Sequence, residues 1–257
     1  MDKINILLSN DDGIDAPGIV SLASELKKFA NVYVAAPLHQ QSAVGHSITI
    51  YYPLRAHKHY RNGELFGIAI DGTPADAVKL GVLHFFKDVK FDLVISGINQ
   101  GENTAINIIY SGTVSAATEG AILNIPSIAL SLATFEKIDF KSYAEISARL
   151  IKVLLGKKLL EENILLNINI PAVDVKEIKG VKFTQQGKSF WDDSFEVRSD
   201  PNGREYYWLT GKMVFTDKEN DVDTIALKEN FISITPLHFD LTDHKKFESL
   251  KNIKLNL

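Results

Sequence analysis

The apolar positions of this 257-residue chain switch repeatedly between strand-like runs and helical spacing. Ile4, Ile6, Leu7 and Leu8 form the short apolar run of a buried strand, which stops at Asn10-Asp11-Asp12-Gly13. Pro17 then suits a first helical turn, and Ile19, Leu22, Ala23, Leu26 and Phe29 keep helical spacing. Asn31 to Ala36 reads as a second buried strand ended by Pro37, and Ile48 to Tyr52 as another strand. Asn62-Gly63 is a two-residue hairpin signal before Leu65 to Ile70. Asp71-Gly72-Thr73-Pro74 opens a helix carrying Ala77, Val78, Leu80, Val82 and Leu83. A strand over Phe91 to Ile95 ends at Ser96-Gly97, and an alanine-rich helix covers Thr113 to Leu123. Ser127 to Leu132 is again a strand, and Tyr143 to Leu155 a helix with apolar Ile146, Leu150, Ile151 and Leu154.

Continuous apolar strands separated by amphipathic helices predict a parallel sheet covered on both faces. Ligands of such sheets bind beyond the carboxyl ends of the strands. That puts Asp11-Asp12, the Pro37–Ser47 loop and the Gly97–Gly112 loop at one rim. The pattern changes after Pro171. Gly180 to Gly187 and Glu205 to Phe215 look like hairpins, and Asp193 to Arg204 like a long exposed loop. A helix over Val222 to Leu227, a strand over Phe231 to Thr235 and a lysine-rich amphipathic tail complete the chain. This second part reads as a subdomain or an oligomerisation arm.

Composition narrows the function. An apolar content of 45% supports a sizeable core, and a net charge of −4 without any Lys/Arg-rich run argues against binding a nucleic-acid polymer. The absence of cysteine excludes disulfides, thiolate zinc sites and a cysteine nucleophile. No run approaches a membrane span, and the start is too brief and wrongly flanked for a signal peptide, so a soluble cytoplasmic protein is expected.

The rim loops supply the chemistry. Two neighbouring carboxylates raise each other's pKa in a cleft unless a cation screens them, and a hard divalent metal prefers oxygen ligands. Asp11-Asp12 therefore reads as a metal or catalytic pair, or as a polar turn bonding nearby amides. Ser42 offers a neutral oxygen, Asn99 an amide oxygen, and His46 is an acid, a base or a core histidine. Tyr110-Ser111-Gly112-Thr113 opens a helix, where unpaired amides and the helix dipole make an anion site compatible with an N-cap. These pieces describe a site for phosphoryl transfer or phosphomonoester cleavage. No dinucleotide fingerprint, P-loop or Gly-x-Ser-x-Gly elbow is present.

At this point the chain resembles the SurE family (survival protein E, nucleoside monophosphate phosphatases). The resemblance rests on Asn10-Asp11-Asp12-Gly13, Pro17-Gly18, Ala36-Pro37 with Gln41-Ser42, and Asp71-Gly72-Thr73-Pro74-Ala75-Asp76. It continues through Ser96-Gly97-Ile98-Asn99-Gln100-Gly101-Glu102-Asn103 and Tyr110-Ser111-Gly112-Thr113-Val114-Ser115-Ala116-Ala117. Ile232-Ser233-Ile234-Thr235-Pro236-Leu237, with Asp240 and Thr242, extends it nearly to the end. Ala77 and Phe91 stand where many members have cysteine and proline, and Lys188 to Asn202 is the least family-like stretch.

The resemblance implies an α/β fold: a Rossmann-like, doubly wound, mostly parallel sheet in residues 1–171, with a C-terminal β-rich oligomerisation extension in 172–257. That extension would be exchanged between subunits of a homodimer or homotetramer. It implies one divalent ion per subunit, Mg²⁺ or Mn²⁺, on Asp11, Asp12, Ser42 and Asn99. It also implies hydrolysis of nucleoside 5′- and 3′-monophosphates, with a side activity on short polyphosphate. Ser111, Gly112 and Thr113, with Asn99, are the expected phosphate contacts, Asn10 orients water or phosphate, and His46 stands behind the site. Asp76 is expected to be a structural acid at its helix start. Two rival functions are an aspartyl-phosphate-forming phosphatase and a non-catalytic nucleotide sensor.

Overall fold

The computed structural model describes residues 3–160 and 163–255. The first apolar run is strand β1 (Ile4–Ser9), and Pro17 opens helix α1 (Pro17–Leu26), which returns the chain to β2 (Ala30–Pro37). An antiparallel hairpin follows, β3 (Arg55–Arg61) and β4 (Glu64–Asp71), turning at Asn62-Gly63. Helix α2 (Pro74–Leu80) runs on into a π-helical turn over Gly81–Phe85. Then come β5 (Leu93–Gln100), the short α3 (Asn107–Tyr110), α4 (Gly112–Ile122), β6 (Ser127–Ala133), α5 (Lys141–Gly156) and β7 (Leu165–Pro171).

These strands belong to one nine-stranded sheet. From β3 it runs through β4, β2, β1, β5, β6 and β7, and ends in two strands from the last third of the chain. Those are β11 (Phe231–Leu237), antiparallel to β7, and β8 (Gly180–Phe183), parallel to β11. Pairing from β4 through β2, β1, β5 and β6 to β7 is parallel. Alternate residues of β1 feed opposite layers. Ile6 and Leu8 pack with Ile19 and Leu22 of α1 and Ile151 of α5, while Leu7 packs with Val78 of α2 and Ala116 of α4. Helices on both faces make the sheet doubly wound. Strand order reverses between β1 and β5, so a crevice opens where those two strands end.

The remaining strands, β9 (Phe190–Ser199) and β10 (Glu205–Val214), form a separate hairpin paired along its whole length. Helix α6 (Asp223–Lys228) leads back to the sheet, and α7 (His244–Leu250) closes the chain. No helix of the described residues is long and apolar enough to cross a membrane.

Several sequence expectations are corrected, among them the hairpin expected over Glu205 to Phe215, which is the single strand β10. Ile48 to Tyr52 is not a strand: it has β propensity but no neighbouring edge, and Tyr51 is 92% exposed. Gly180 to Gly187 is not a hairpin, because β8 pairs in parallel with the distant β11. Asp193 to Arg204 is not a long loop. Most of it is strand β9, whose polar residues and exposure on both faces erase the alternation by which a half-buried strand is recognised. The strand expected to end at Ser96-Gly97 also continues to Gln100, past an irregularity between Ser96 and Asn99.

Candidate active site

The crevice between β1 and β5 gathers three loops. Asp11 follows β1, is only 4% exposed, and accepts a hydrogen bond at 2.5 Å from Thr113 Oγ1 in the first turn of α4. Its backbone carbonyl accepts from Gln41 N at 2.7 Å, so the loop bearing Ser42 is fastened to the same residue. Asp12 accepts from the Gln100 backbone N–H at 3.2 Å and, at a longer 3.4 Å, from Gln40 Nε2. Gln40 Nε2 also donates to Ser42 Oγ at 2.9 Å. Asn99 donates Nδ2 to the Gly101 carbonyl at 2.7 Å, which leaves its amide oxygen for another partner. Asp11, Ser42, Asn99 and Ser111 line one cavity of about 830 Å³.

Burial pushes the Asp11 carboxyl up to about 7 against the opposing Thr113 hydrogen bond, and the Asp12 charge adds to the rise. Burial raises Asp12 as well, opposed by the Gln100 amide. Among the described residues, neither carboxylate forms an ion pair with a lysine, arginine or histidine. No group of three or more His, Cys, Asp or Glu side chains comes together among them either. The donors on offer are thus two uncompensated carboxylates and neutral oxygens, a set suited to one hard divalent ion and unsuited to a soft one.

The helix start behaves as expected at Ser111 and differently at Thr113. Ser111 Oγ caps α4 by accepting from Val114 N at 3.0 Å, so its own proton remains to be donated into the cavity. Thr113 is fully buried with its hydroxyl committed to Asp11, so it acts on the carboxylate. Between them Gly112 is required by contact. A Cβ there would lie 2.7 Å from Asp11 Cβ and 3.1 Å from the Gln41 carbonyl.

Asn10 donates Nδ2 to the Gly13 carbonyl at 2.8 Å, while its Oδ1 is buried without a partner among the described residues. His46 bonds Glu119 Oε2 of α4 through Nε2 at 3.0 Å, and Lys79 Nζ pairs with the other oxygen at 2.6 Å. Burial alone would raise the Glu119 carboxyl, but the His46 bond and the Lys79 bond and charge hold it below the usual range. His46 thereby clamps the Ser42-bearing loop onto α4. Asp76 is the structural acid expected, in a capping box with Thr73 and accepting both the Thr49 N–H and its hydroxyl.

Sequence reasoning missed several contributors. Gln40 joins Ser42 to Asp12, and no motif distinguishes it from its neighbours. Asn167 and Asn169 of β7 both donate to the Asn103 carbonyl, at 2.7 and 3.1 Å, while the Asn103 side chain reaches Ser131 Oγ at 2.9 Å. This buried network braces the loop carrying Asn99. Its signal was present, since two asparagines at positions i and i+2 of Leu165-Leu166-Asn167-Ile168-Asn169-Ile170 share one face of an otherwise apolar strand. The far cavity wall comes from Phe135 and from the β9–β10 hairpin through Trp191 and Leu209.

Comparisons with known proteins agree with this geometry. A family model described as "Survival protein SurE" matches residues 6–193. A relative named "5'-nucleotidase SurE" from Syntrophus aciditrophicus is 46% identical over 246 residues, covering 95% of this chain and 92% of that one. One of the same name from Chlorobaculum tepidum is 43% identical over 243 residues, with the same two coverages. The crystal structure of SurE protein from Aquifex aeolicus superposes with a TM-score of 0.82 at 40% identity, over 96% of this chain and 98% of that one. With its strand-end carboxylates, its capped helix start and these matches, the chain belongs to the SurE family.

Proposed function

We propose that this chain is a metal-dependent phosphomonoesterase that hydrolyses nucleoside 5′- and 3′-monophosphates to nucleoside and phosphate. One observation carries the reading. Asp11, buried, and Asp12, half-buried, are adjacent carboxylates at the switch point of the sheet, with no cationic side chain paired to them among the described residues, beside a helix start that can receive an anion. The names of the 43–46% identical relatives support the same activity.

Asp11, Asp12, Ser42 and Asn99 would hold one Mg²⁺ or Mn²⁺ per subunit. When bound, such an ion offsets charge on the phosphoryl oxygens and makes water a competent nucleophile near neutral pH. The chain's own residues do the rest. Thr113 and Gln40 fix Asp11 and Ser42 in place before substrate arrives. Ser111 donates its hydroxyl proton to a phosphate oxygen, and the first-turn amides of α4 add donors where charge spreads in the transition state. Asn10, whose Oδ1 has no hydrogen-bond partner among the described residues, would orient the attacking water or the phosphate. Accelerations of phosphomonoester hydrolysis reach about 10²¹-fold, so carboxylates, donors and in-line positioning must act together.

Residues 172–257 serve as an extension that pairs this chain with a second copy, in a dimer or tetramer. An isolated two-stranded hairpin is marginal in water, and β9–β10 exposes Phe195, Val197, Tyr207 and Trp208.

The test is phosphate release from 5′- and 3′-monophosphates of all four bases and from short polyphosphate, with calorimetric titration of Mg²⁺ and Mn²⁺. Metal-dependent turnover with one ion per subunit is expected. Turnover that survives chelation, or tight nucleotide binding without phosphate release, would overturn the reading.

A further inference from the structure

The cavity of about 830 Å³ is far larger than a phosphate group needs, and its lining is both polar and aromatic. Asp11, Ser42, Asn99 and Ser111 line it together with three aromatic side chains, Tyr110 beside Ser111 in the chain, and Phe135 and Trp191 from two more distant parts of it. Phe135 follows β6 and is 77% exposed, an unusual position for a phenylalanine on the rim of a polar site. Its ring lies on the backbone of Gly101, where even a Cβ would come within 2.6 Å of it. Trp191 stands near the start of β9, and its indole N–H donates to Asn107 Oδ1 at 2.7 Å. That bond fixes the indole while leaving the residue 40% exposed. Both rings are thus anchored on the stretch that follows Asn99, Phe135 at Gly101 and Trp191 at Asn107, the first residue of α3.

We propose that Phe135 and Trp191 form the nucleobase subsite of this enzyme, stacking the base of a nucleotide whose phosphate sits among Asp11, Ser42, Asn99 and Ser111. This deepens the nucleotidase reading and rests on it. An aromatic face recognises any base by its π surface and is indifferent to hydrogen-bonding edges, so all four bases are accepted and purines gain most from their larger area. Trp191 is supplied by the hairpin, so the C-terminal extension completes the substrate site as well as any subunit contact.

Ribose 5-phosphate is the discriminating probe, since it carries the same phosphate ester and sugar as adenosine 5′-monophosphate but no base. Stacking contributes about 1–3 kcal/mol per base, equivalent to a factor of about 5–150. Phe135→Ala and Trp191→Ala are each expected to lower kcat/KM for adenosine 5′-monophosphate by a factor in that range, mainly through KM. Turnover of ribose 5-phosphate is expected to stay within about twofold, and Trp191→Phe to keep most of the nucleotide preference. Phe135 is exposed, so its truncation is readable even where Trp191→Ala disturbs the hairpin. Equal losses on both substrates, or none on either, would overturn the subsite while leaving the phosphatase standing. So would a wild type that does not prefer the nucleotide. A wild type that turns over neither compound with Mg²⁺ or Mn²⁺ would overturn the nucleotidase reading itself, and the subsite with it.

Discussion

Replacing Asp11 with asparagine should change how the metal-free protein responds to pH, by an amount the structure sets. The carboxyl rises from 3.8 in the unfolded chain to about 7 in the fold. Three units at 1.36 kcal/mol each mean that ionising Asp11 costs the metal-free fold about 4 kcal/mol. Because the folded pKa is the higher one, Asp11's favourable contribution is complete below pH 3.8 and is lost as pH rises through 7. Of that loss, about 2–3 kcal/mol falls between pH 5 and pH 8. The substituted amide has no charge to lose. Urea unfolding in EDTA should therefore show wild type losing about 2–3 kcal/mol more than Asp11→Asn between pH 5 and pH 8. Amide packing sets the offset between the two proteins, so the difference in slope is the signal. Saturating Mn²⁺ should restore wild type at pH 8 by about 4 kcal/mol at a thousandfold excess over Kd, and Asp11→Asn by much less. Parallel pH profiles, within about 0.5 kcal/mol, would refute the claim that Asp11 is an enclosed, uncompensated carboxylate.

Three further outcomes follow from the same geometry. Gly112→Ala drives a methyl group against Asp11 and the Gln41 carbonyl, so phosphate release should fall at least about tenfold in a protein whose circular dichroism is unchanged. Asn169→Ala leaves the Asn103 N–H, which bonds Asn169 Oδ1 at 2.8 Å, without its acceptor, and should cost about 1–3 kcal/mol in urea unfolding. Glu119→Gln removes a carboxylate held below its ordinary pKa by His46 and Lys79. That contribution is present above the unfolded pKa and is lost as pH falls through the depressed folded value, so urea unfolding should show the variant destabilised at pH 7 and the gap to wild type narrowing steadily as pH falls.

Much of the fold was legible because burial writes a period into the chain. Ile6, Leu7 and Leu8, all enclosed, announced a central strand, and Pro17, Asn62-Gly63 and Thr73-Pro74 marked the joints where the structure has them. The hairpin β9–β10 was only half legible, its second strand lying in a stretch read as a hairpin and its first in one read as a loop, for the opposite reason. It is held by cross-strand backbone bonds, and with both faces exposed its side chains carry no alternation. Strand β8 needed a partner far along the chain in β11, which local patterning does not encode. That Asp11, Ser42, Asn99 and Ser111 meet at one cavity could be read because strand ends and a helix start dictate where such groups go. Phe135 and Trp191 could not, since their meeting at one cavity depends on tertiary packing of the hairpin against the 99–107 loop.

The central claim is that Asp11 and Asp12 serve a metal-dependent phosphatase. Its most direct measurement is phosphate release from adenosine 5′-monophosphate by wild type and Asp12→Asn, each with Mn²⁺, with Mg²⁺ and with EDTA. Turnover by wild type only when metal is present, and a loss of at least about a hundredfold in the folded variant, is the result expected. Comparable turnover by the variant, or by wild type in EDTA, would contradict it.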